Sequence, residues 1–269
     1  MRIKSSLLAA AAAAIVTLAS CESTPADERL IVDGSSFEPQ RTVLIEDFTG
    51  QTCVNCPGAH ELLSEFEGLL NSPDHVGIIA VGIHIPTFGR PAPTGLVAVE
   101  ADAYSVGVDN APSARINRRS FNGETVLNTD KWTGAVMNEI KRKAQIAFTD
   151  LTAELTPDGK HVNIHGKVLA QETANSARLQ LWLVEDDVVK PQMLPNGADA
   201  KYVHHSVFRA AINGVNGSKI EIKEKKETPF EQLNYPLAEY VNPANLRIVA
   251  FVYTDNDGVL NAAHTKIQN

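Results

Sequence analysis

Val43-Leu44-Ile45-Glu46-Asp47-Phe48-Thr49-Gly50-Gln51-Thr52-Cys53-Val54-Asn55-Cys56-Pro57 decides the fold. Its first half is a short apolar run closed by Phe48, the pattern of a strand buried in a parallel sheet. Thr49 to Thr52 read as a turn, and two cysteines follow with two residues between them. Pro57 stands where proline fits the first turn of a helix, since its missing N–H has no partner to lose there. Leu62, Leu63, Phe66, Leu69 and Leu70 then recur on one helical face. Asn71-Ser72-Pro73 ends that helix.

Working outward, residues 76–85 (VGIIAVGIHI) predict a second buried strand, and a Pro/Gly-rich loop spans 86–95. A short helix is expected over 96–104. Pro112 leads a short strand, another is expected at 125–127, and Asn128-Thr129-Asp130 caps a helix through Trp132, Val136 and Ile140. Lys141-Arg142-Lys143 sit at its favourable end for positive charge. After Gln145 the apolar period switches to two. Strands are expected at 147–155, 162–169, 179–184, 203–212, 220–222, 246–253 and 259–264. Turns at Pro157-Asp158-Gly159, Asn213-Gly214, Asn216-Gly217 and Asn256-Asp257-Gly258 separate several of them. This texture suggests an antiparallel β-sandwich of immunoglobulin type. The expected organisation is a signal peptide at 1–20, a linker at 21–40, an α/β domain at 41–145 and an all-β domain at 146–269.

The N-terminus predicts export. Arg2 and Lys4 precede an apolar, alanine-rich run at 7–18, of signal-peptide length and too short to span a bilayer. Leu18-Ala19-Ser20-Cys21 resembles the lipobox of bacterial lipoproteins, which predicts cleavage before Cys21 and lipidation of that cysteine. Each buried methylene contributes about 0.8 kcal/mol, so a three-chain anchor holds permanently to the membrane. Glu22, Asp27 and Glu28 follow with Ser23, Thr24 and Pro25. They read as a solvated tether, or as the acidic signal that sends some lipoproteins to the cell surface. The formal net charge is −8 and no basic cluster is present, which excludes nucleic acid as a partner. Of three cysteines, lipid takes one. Cys53 and Cys56 remain as a local, chemical pair rather than a disulfide framework.

The order strand, CxxC, helix, strand, helix, proline-led strand, strand, helix resembles the thioredoxin fold: a central mixed sheet flanked by helices. The resemblance places Cys53 exposed at a helix N-terminus, where orphan N–H groups favour its thiolate as the attacking group. Cys56, one turn further in, resolves the mixed disulfide. It also implies a cis bond at Ala111-Pro112 beside the CxxC, against the background rarity of such bonds. A buried acid beneath the cysteines is implied at Asp47, with Glu46 as the alternative, since alternation along a strand turns one of the two away. Thr52 replaces the family's usual tryptophan and Val54-Asn55 its Gly-Pro, so the redox potential is left open. His60 and His84 together with the cysteines offer a zinc alternative, weighed below a polar helix-face role for His60. Pro57, in place of a histidine, excludes haem attachment. His204-His205 point to opposite faces of a strand, which predicts a structural or surface role. Trp132 and Trp182 read as core anchors, one on each side of residue 146. No cofactor and no metal are expected.

The mature chain as a whole resembles the twenty-eight-kilodalton outer-membrane-protein family of Bacteroidetes lipoproteins. The stretches that carry this are residues 43–50, Cys53-Val54-Asn55-Cys56-Pro57, and Tyr202-Val203-His204-His205-Ser206-Val207-Phe208-Arg209-Ala210. The resemblance implies a lipid anchor at the outer membrane, periplasmic or surface face open, a thioredoxin-like domain and a C-terminal immunoglobulin-like domain. Two functions follow as expectations. One is thiol–disulfide exchange with cysteines of exported envelope proteins. The other is a non-enzymatic surface lipoprotein, an adhesin or complex subunit, with a structural disulfide.

Overall fold

Strand β1, Val43–Thr49, is buried along its whole length, because it lies inside a sheet covered on both faces. In the computed structural model, which describes residues 38–268, β1 pairs in parallel with β2, Ile78–His84, from Val43↔Ile78 to Thr49↔His84. The signal peptide, Cys21 and most of the linker lie outside the described residues. Between β1 and β2 runs α1, Cys56–Leu70. After β2 come a four-residue helix α2, Ala101–Tyr104, then β3, Ser113–Ile116, β4, Leu127–Asn128, and α3, Thr129–Ile140. β3 runs antiparallel to β1, with Asp47↔Ala114 and Phe48↔Ser113.

The alternation in β1 sorts its side chains. Val43 and Ile45 pack with Ala59, Leu63 and Phe66 of α1 and with Trp132 and Val136 of α3. Leu44 and Phe48 face the other way and join Trp182, Phe208 and Phe251, which come from after residue 146. Both tryptophans are fully buried, as core anchors should be.

The second half supplies β5, Ile146–Leu155, β6, His161–Ala170, β7, Arg178–Glu185, and β8, Val207–Ala211. β9, Glu227–Pro236, β10, Leu246–Thr254, and β11, Gly258–Lys266, complete it. The expected strands are met at β5, β6, β7, β10 and β11; burial alternates along β6, whereas β7 and β10 are buried along nearly their whole length because both their faces are covered. The run expected over 203–212 is broken at Ser206, whose φ is 55, leaving Val203–His204 and β8. Residues 220–222 form no strand; Ile222 makes one isolated bridge to Ala174. β9 does not read as a strand in the sequence because it carries Pro229 and Pro236 and few apolar residues, the chemistry of an edge strand.

The sandwich expectation is met only in its layering. β9-β6-β5 form a three-stranded sheet, and Val162, Ile164 and Val168 pack from it onto Leu181, Leu183, Ile248 and Ala250. The opposing layer does not stop at the second half. β8 pairs antiparallel with β7 and meets β2 in parallel at Val207↔Gly82. One nine-stranded mixed sheet therefore runs in the order β11-β10-β7-β8-β2-β1-β3-β4, with Ser218–Lys219 paired to β7. The composition shift near residue 146 coincides with no gap in packing, and Glu38–Asn269 form one compact unit. The architecture is a β-rich set of mixed sheets with few helices.

Candidate functional site

β1 ends at Thr49, and the chain turns through Gly50 into the cysteines. Thr52 N–H donates to the Phe88 carbonyl at 2.9 Å, and Cys53 N–H donates to the Gly50 carbonyl at 3.1 Å. A Cβ on Gly50 would overlap the Phe88 backbone, so this crossing requires glycine. Cys53 and Cys56 are joined in a disulfide, with Cα atoms 5.5 Å apart. α1 begins at Cys56, with Asn55 as its N-cap and Pro57 in its first turn. Cys53 thus lies in the turn before the helix rather than on its first residue.

Cys56 is fully buried and Cys53 is 4% exposed. The first cysteine was expected to be open, and this is corrected by a segment from the second half. Gln192 sits in a hairpin of Gln192–Leu194 paired with Gly197–Asp199. Its Nε2 donates to the Cys53 carbonyl at 2.9 Å and to the Gly50 carbonyl at 3.3 Å. Met193 N–H donates to the Gln51 carbonyl at 2.8 Å, and Gln51 Nε2 donates to the Pro191 carbonyl at 2.9 Å. The hairpin is laced to both sides of the turn that presents Cys53. Nothing in the spacing of residues 191–199 marks it for this place.

The Ala111-Pro112 bond is cis. It directly precedes β3, and the Phe48↔Ser113 register sets it beside the end of β1 from which the CxxC turn departs. A second cis bond, Ala92-Pro93, was not anticipated.

Glu46 and Asp47 are both 1% exposed and face opposite sides. Glu46 Oε1 accepts from Arg118 Nε at 2.7 Å, and the Arg118 guanidinium lies over the Phe251 and Tyr253 rings. That carboxylate belongs to the core ion pair on the face away from α1. Asp47 faces α1. Its Oδ2 lies 3.6 Å from His60 Nε2, and its Oδ1 has no hydrogen-bond partner among the described residues. Burial pushes the Asp47 carboxyl up to about 8. His60 stands four residues beyond Cys56, hence one turn along the same face of α1. Burial, and secondarily the neighbouring His205, push its imidazole down to about 4. At pH 7 Asp47 mostly keeps its proton and His60 lacks one, so their approach is a neutral contact. His60 Nε2 is also 2.9 Å from Thr49 Oγ1, and its Nδ1 is 3.0 Å from the Tyr202 hydroxyl.

Asp47, Thr49 and His60 line a cavity of about 310 Å³ that also takes in His84, Tyr202 and His204. It lies at the carboxyl ends of parallel strands β1 and β2, the general location of ligand sites in such sheets. His204 is 2% exposed, whereas His205 points outward to Asp187 at 3.1 Å; the two do face opposite ways. The sequence reading missed that His60, His84 and His204 converge. The last comes from some 120 residues further on, so no local spacing could signal the cluster. Among the described residues no group of three or more His, Cys, Asp or Glu is already arranged to hold a metal ion. The cysteines spend their sulfurs on each other, so they make no zinc set with His60 and His84.

Among solved structures, HBP35 of Porphyromonas gingivalis is similar with a TM-score of 0.62 and 15% identity, covering 85% of this chain and 76% of that one. At that identity the likeness speaks of fold alone. A domain of the outer membrane lipoprotein Omp28 from Porphyromonas gingivalis is 25% identical over 46% of this chain and 89% of that one, with a TM-score of 0.31. Among curated proteins, no sequence matches the chain. The sequence profile of the family described as Outer membrane protein Omp28 matches residues 101–269, more than half of the chain. The chain therefore belongs to the Omp28 family, and its place is the outer membrane of the cell envelope.

Proposed function

We propose that this protein is a lipid-anchored envelope protein whose thioredoxin-like half exchanges thiols and disulfides with exported proteins at Cys53 and Cys56. The observation that carries the reading is the disulfide bridging the turn into α1. Two features support it: the proline-led strand beside that turn, and the buried acid Asp47 near the end of β1 from which the turn departs. Cys53 is the attacking and Cys56 the resolving sulfur. A donor dithiol first reduces the Cys53–Cys56 bridge and is itself oxidised to a disulfide; the Cys53 thiolate then attacks a substrate disulfide sulfur and expels one substrate thiolate. Cys56 then attacks Cys53 in the mixed disulfide, re-forming the intramolecular bridge and releasing the second substrate thiol. Two electrons pass from this chain to the substrate. Asp47, protonated at neutral pH, takes the place of an acid that relays a proton to or from Cys56. The lipid on Cys21 ties this chemistry to the membrane, and no cofactor is needed.

Titration of the purified chain across glutathione ratios, read by gel shift with a thiol-reactive polymer, tests the site. The expected result is a two-electron transition within the range of envelope oxidoreductases, and Cys56→Ser should trap mixed disulfides with envelope proteins on Cys53. Absence of both would end the proposal. The near-complete burial of Cys53 favours a second reading, a structural cross-link in a non-enzymatic surface lipoprotein. A reduction potential below about −300 mV would select that reading, since such bridges resist ordinary thiol pools. Cys21→Ala should release the chain from membranes if the anchor is as proposed.

A further inference from the structure

Arg41, Arg119 and Arg142 come from three separate stretches of the chain, and the fold gathers them around one carboxylate. Glu139, buried near the end of α3, accepts at Oε2 from Arg41 Nη2 at 2.8 Å and from Asn117 Nδ2 at 2.9 Å. Its Oε1 lies 3.3 Å from Arg119 Nε and 3.9 Å from Arg142 Nε. A guanidinium keeps its proton throughout the physiological range. One negative charge therefore serves three positive ones. The carboxyl end of α3 adds only about half a negative charge, which leaves the cluster positive. Arg41 feels the imbalance: burial first, and then repulsion from Arg119 and Arg142, lower its pKa in spite of Glu139. Its Nε is buried with no hydrogen-bond partner among the described residues.

We infer that the cavity beside this cluster binds an oxyanion of the phosphate class. The cavity, about 320 Å³, lies between α3 and the residues that follow β3. It has room for such an anion and several waters, each of which takes about 30 Å³. Ile116, Phe121 and Ala135 give it apolar walls, while Arg119, Ser120, Asn138 and Arg142 bring groups that can donate to an anion. Glu139 is the one acid among the lining residues, and both its oxygens are already engaged by the arginines and Asn117. Arg119 is anchored by its Nη1 donating to the Asp257 carbonyl. The Arg142 side chain is 51% exposed, so its fork is open to a ligand. Planar guanidinium forks match two oxygens of a phosphate group, and the charge-assisted bonds they form are the strong ones. A bound oxyanion supplies the counter-charge that Glu139 alone does not. At the outer membrane this group comes either as free phosphate or on a lipid headgroup. The site uses neither sulfur, so it stands apart from the exchange chemistry proposed above.

Calorimetric titration of the full-length chain, in non-ionic detergent and low-salt buffer, tests this with two soluble probes. One is sodium phosphate; the other is glycerophosphoglycerol, the deacylated headgroup of phosphatidylglycerol. One site per chain with a sub-millimolar dissociation constant is expected. Arg119→Gln and Arg142→Gln should each weaken binding at least fivefold. Lys143→Gln removes the same charge from an exposed residue off the cavity lining, and it should weaken binding less than twofold. Phosphate should raise the melting temperature of the unaltered chain more than that of Arg142→Gln. Should Arg119→Gln fail to fold, the half-exposed Arg142 decides alone. Glycerophosphoglycerol binding as tightly as phosphate assigns the group to a lipid headgroup, and binding of phosphate alone assigns it to the free ion; either result supports the site. Absence of saturable binding of both probes, full affinity in Arg142→Gln, or an equal loss in Lys143→Gln overturns the inference. A chain with Cys53→Ser and Cys56→Ser should bind as before, so failure of the exchange proposal leaves this result intact.

Discussion

Asp47 is the residue on which burial acts most plainly. Its folded pKa of about 8 stands above the ordinary 3.8. Between those values the native chain holds a proton that the unfolded chain has released. The resulting stability is fully present below pH 3.8 and is lost as pH rises through 8. Asp47→Asn removes this dependence. The variant should therefore gain melting temperature relative to the unaltered chain as pH goes from 5 to 9; a difference that stays constant with pH would refute the assignment. His60 works in the opposite direction. Its pKa falls to about 4, so its contribution is present above 6.5 and lost as pH drops through 4. Glu46, one residue away, does different work on the other face. Glu46→Gln leaves Arg118 without its buried counter-charge, and a loss of about 3–5 kcal/mol in denaturant unfolding is expected. Sequence alternation indicated that these two acids separate; which one faced α1 required the register.

At the scale of elements, the hairpin around Gln192 governs access to Cys53. Gln192 Nε2 ties it to the carbonyls of Cys53 and Gly50, each bond worth about 1 kcal/mol net. Gln192→Ala should let the hairpin lift more often and speed reduction of the disulfide by dithiothreitol several-fold. Stopped-flow fluorescence or timed alkylation reads this directly, and an unchanged rate would remove the hairpin as a cover. The elements β1, α1 and β2 were legible because a run of buried apolar residues, a CxxC turn and a 3.6-residue period adjoin in sequence. β9 was not legible, because its stability comes from pairing with β6, from Glu227↔Leu169 to Pro236↔His161, and not from its own pattern.

Across the whole molecule, the two textures of the sequence share a core. Leu44, Phe48, Val81 and Ile83 lie in one cluster with Trp182, Phe208, Phe251 and Tyr253. A fragment of residues 41–145 would expose that apolar face and lose the pairing of β2 with β8. It should fail to give a cooperative unfolding transition by circular dichroism, whereas residues 38–269 should unfold cooperatively. Trp182→Ala, at the centre of the shared cluster, should cost about 3–5 kcal/mol, the range for emptying a large core site. A fragment that folds alone with native-like stability would contradict the shared core.

The sequence by itself determined the local pieces: the CxxC turn, the amphipathic α1, the proline before β3, and the period-two strands after residue 146. Those depend on neighbours a few residues apart, where spacing dictates which side chains share a face. The tertiary structure alone decided that both halves share one sheet, that a hairpin from the second half covers Cys53, and that His60, His84 and His204 line one cavity. Those depend on strand pairing across more than a hundred residues, whose closure is set by burial of the combined apolar faces and leaves no mark in the local pattern.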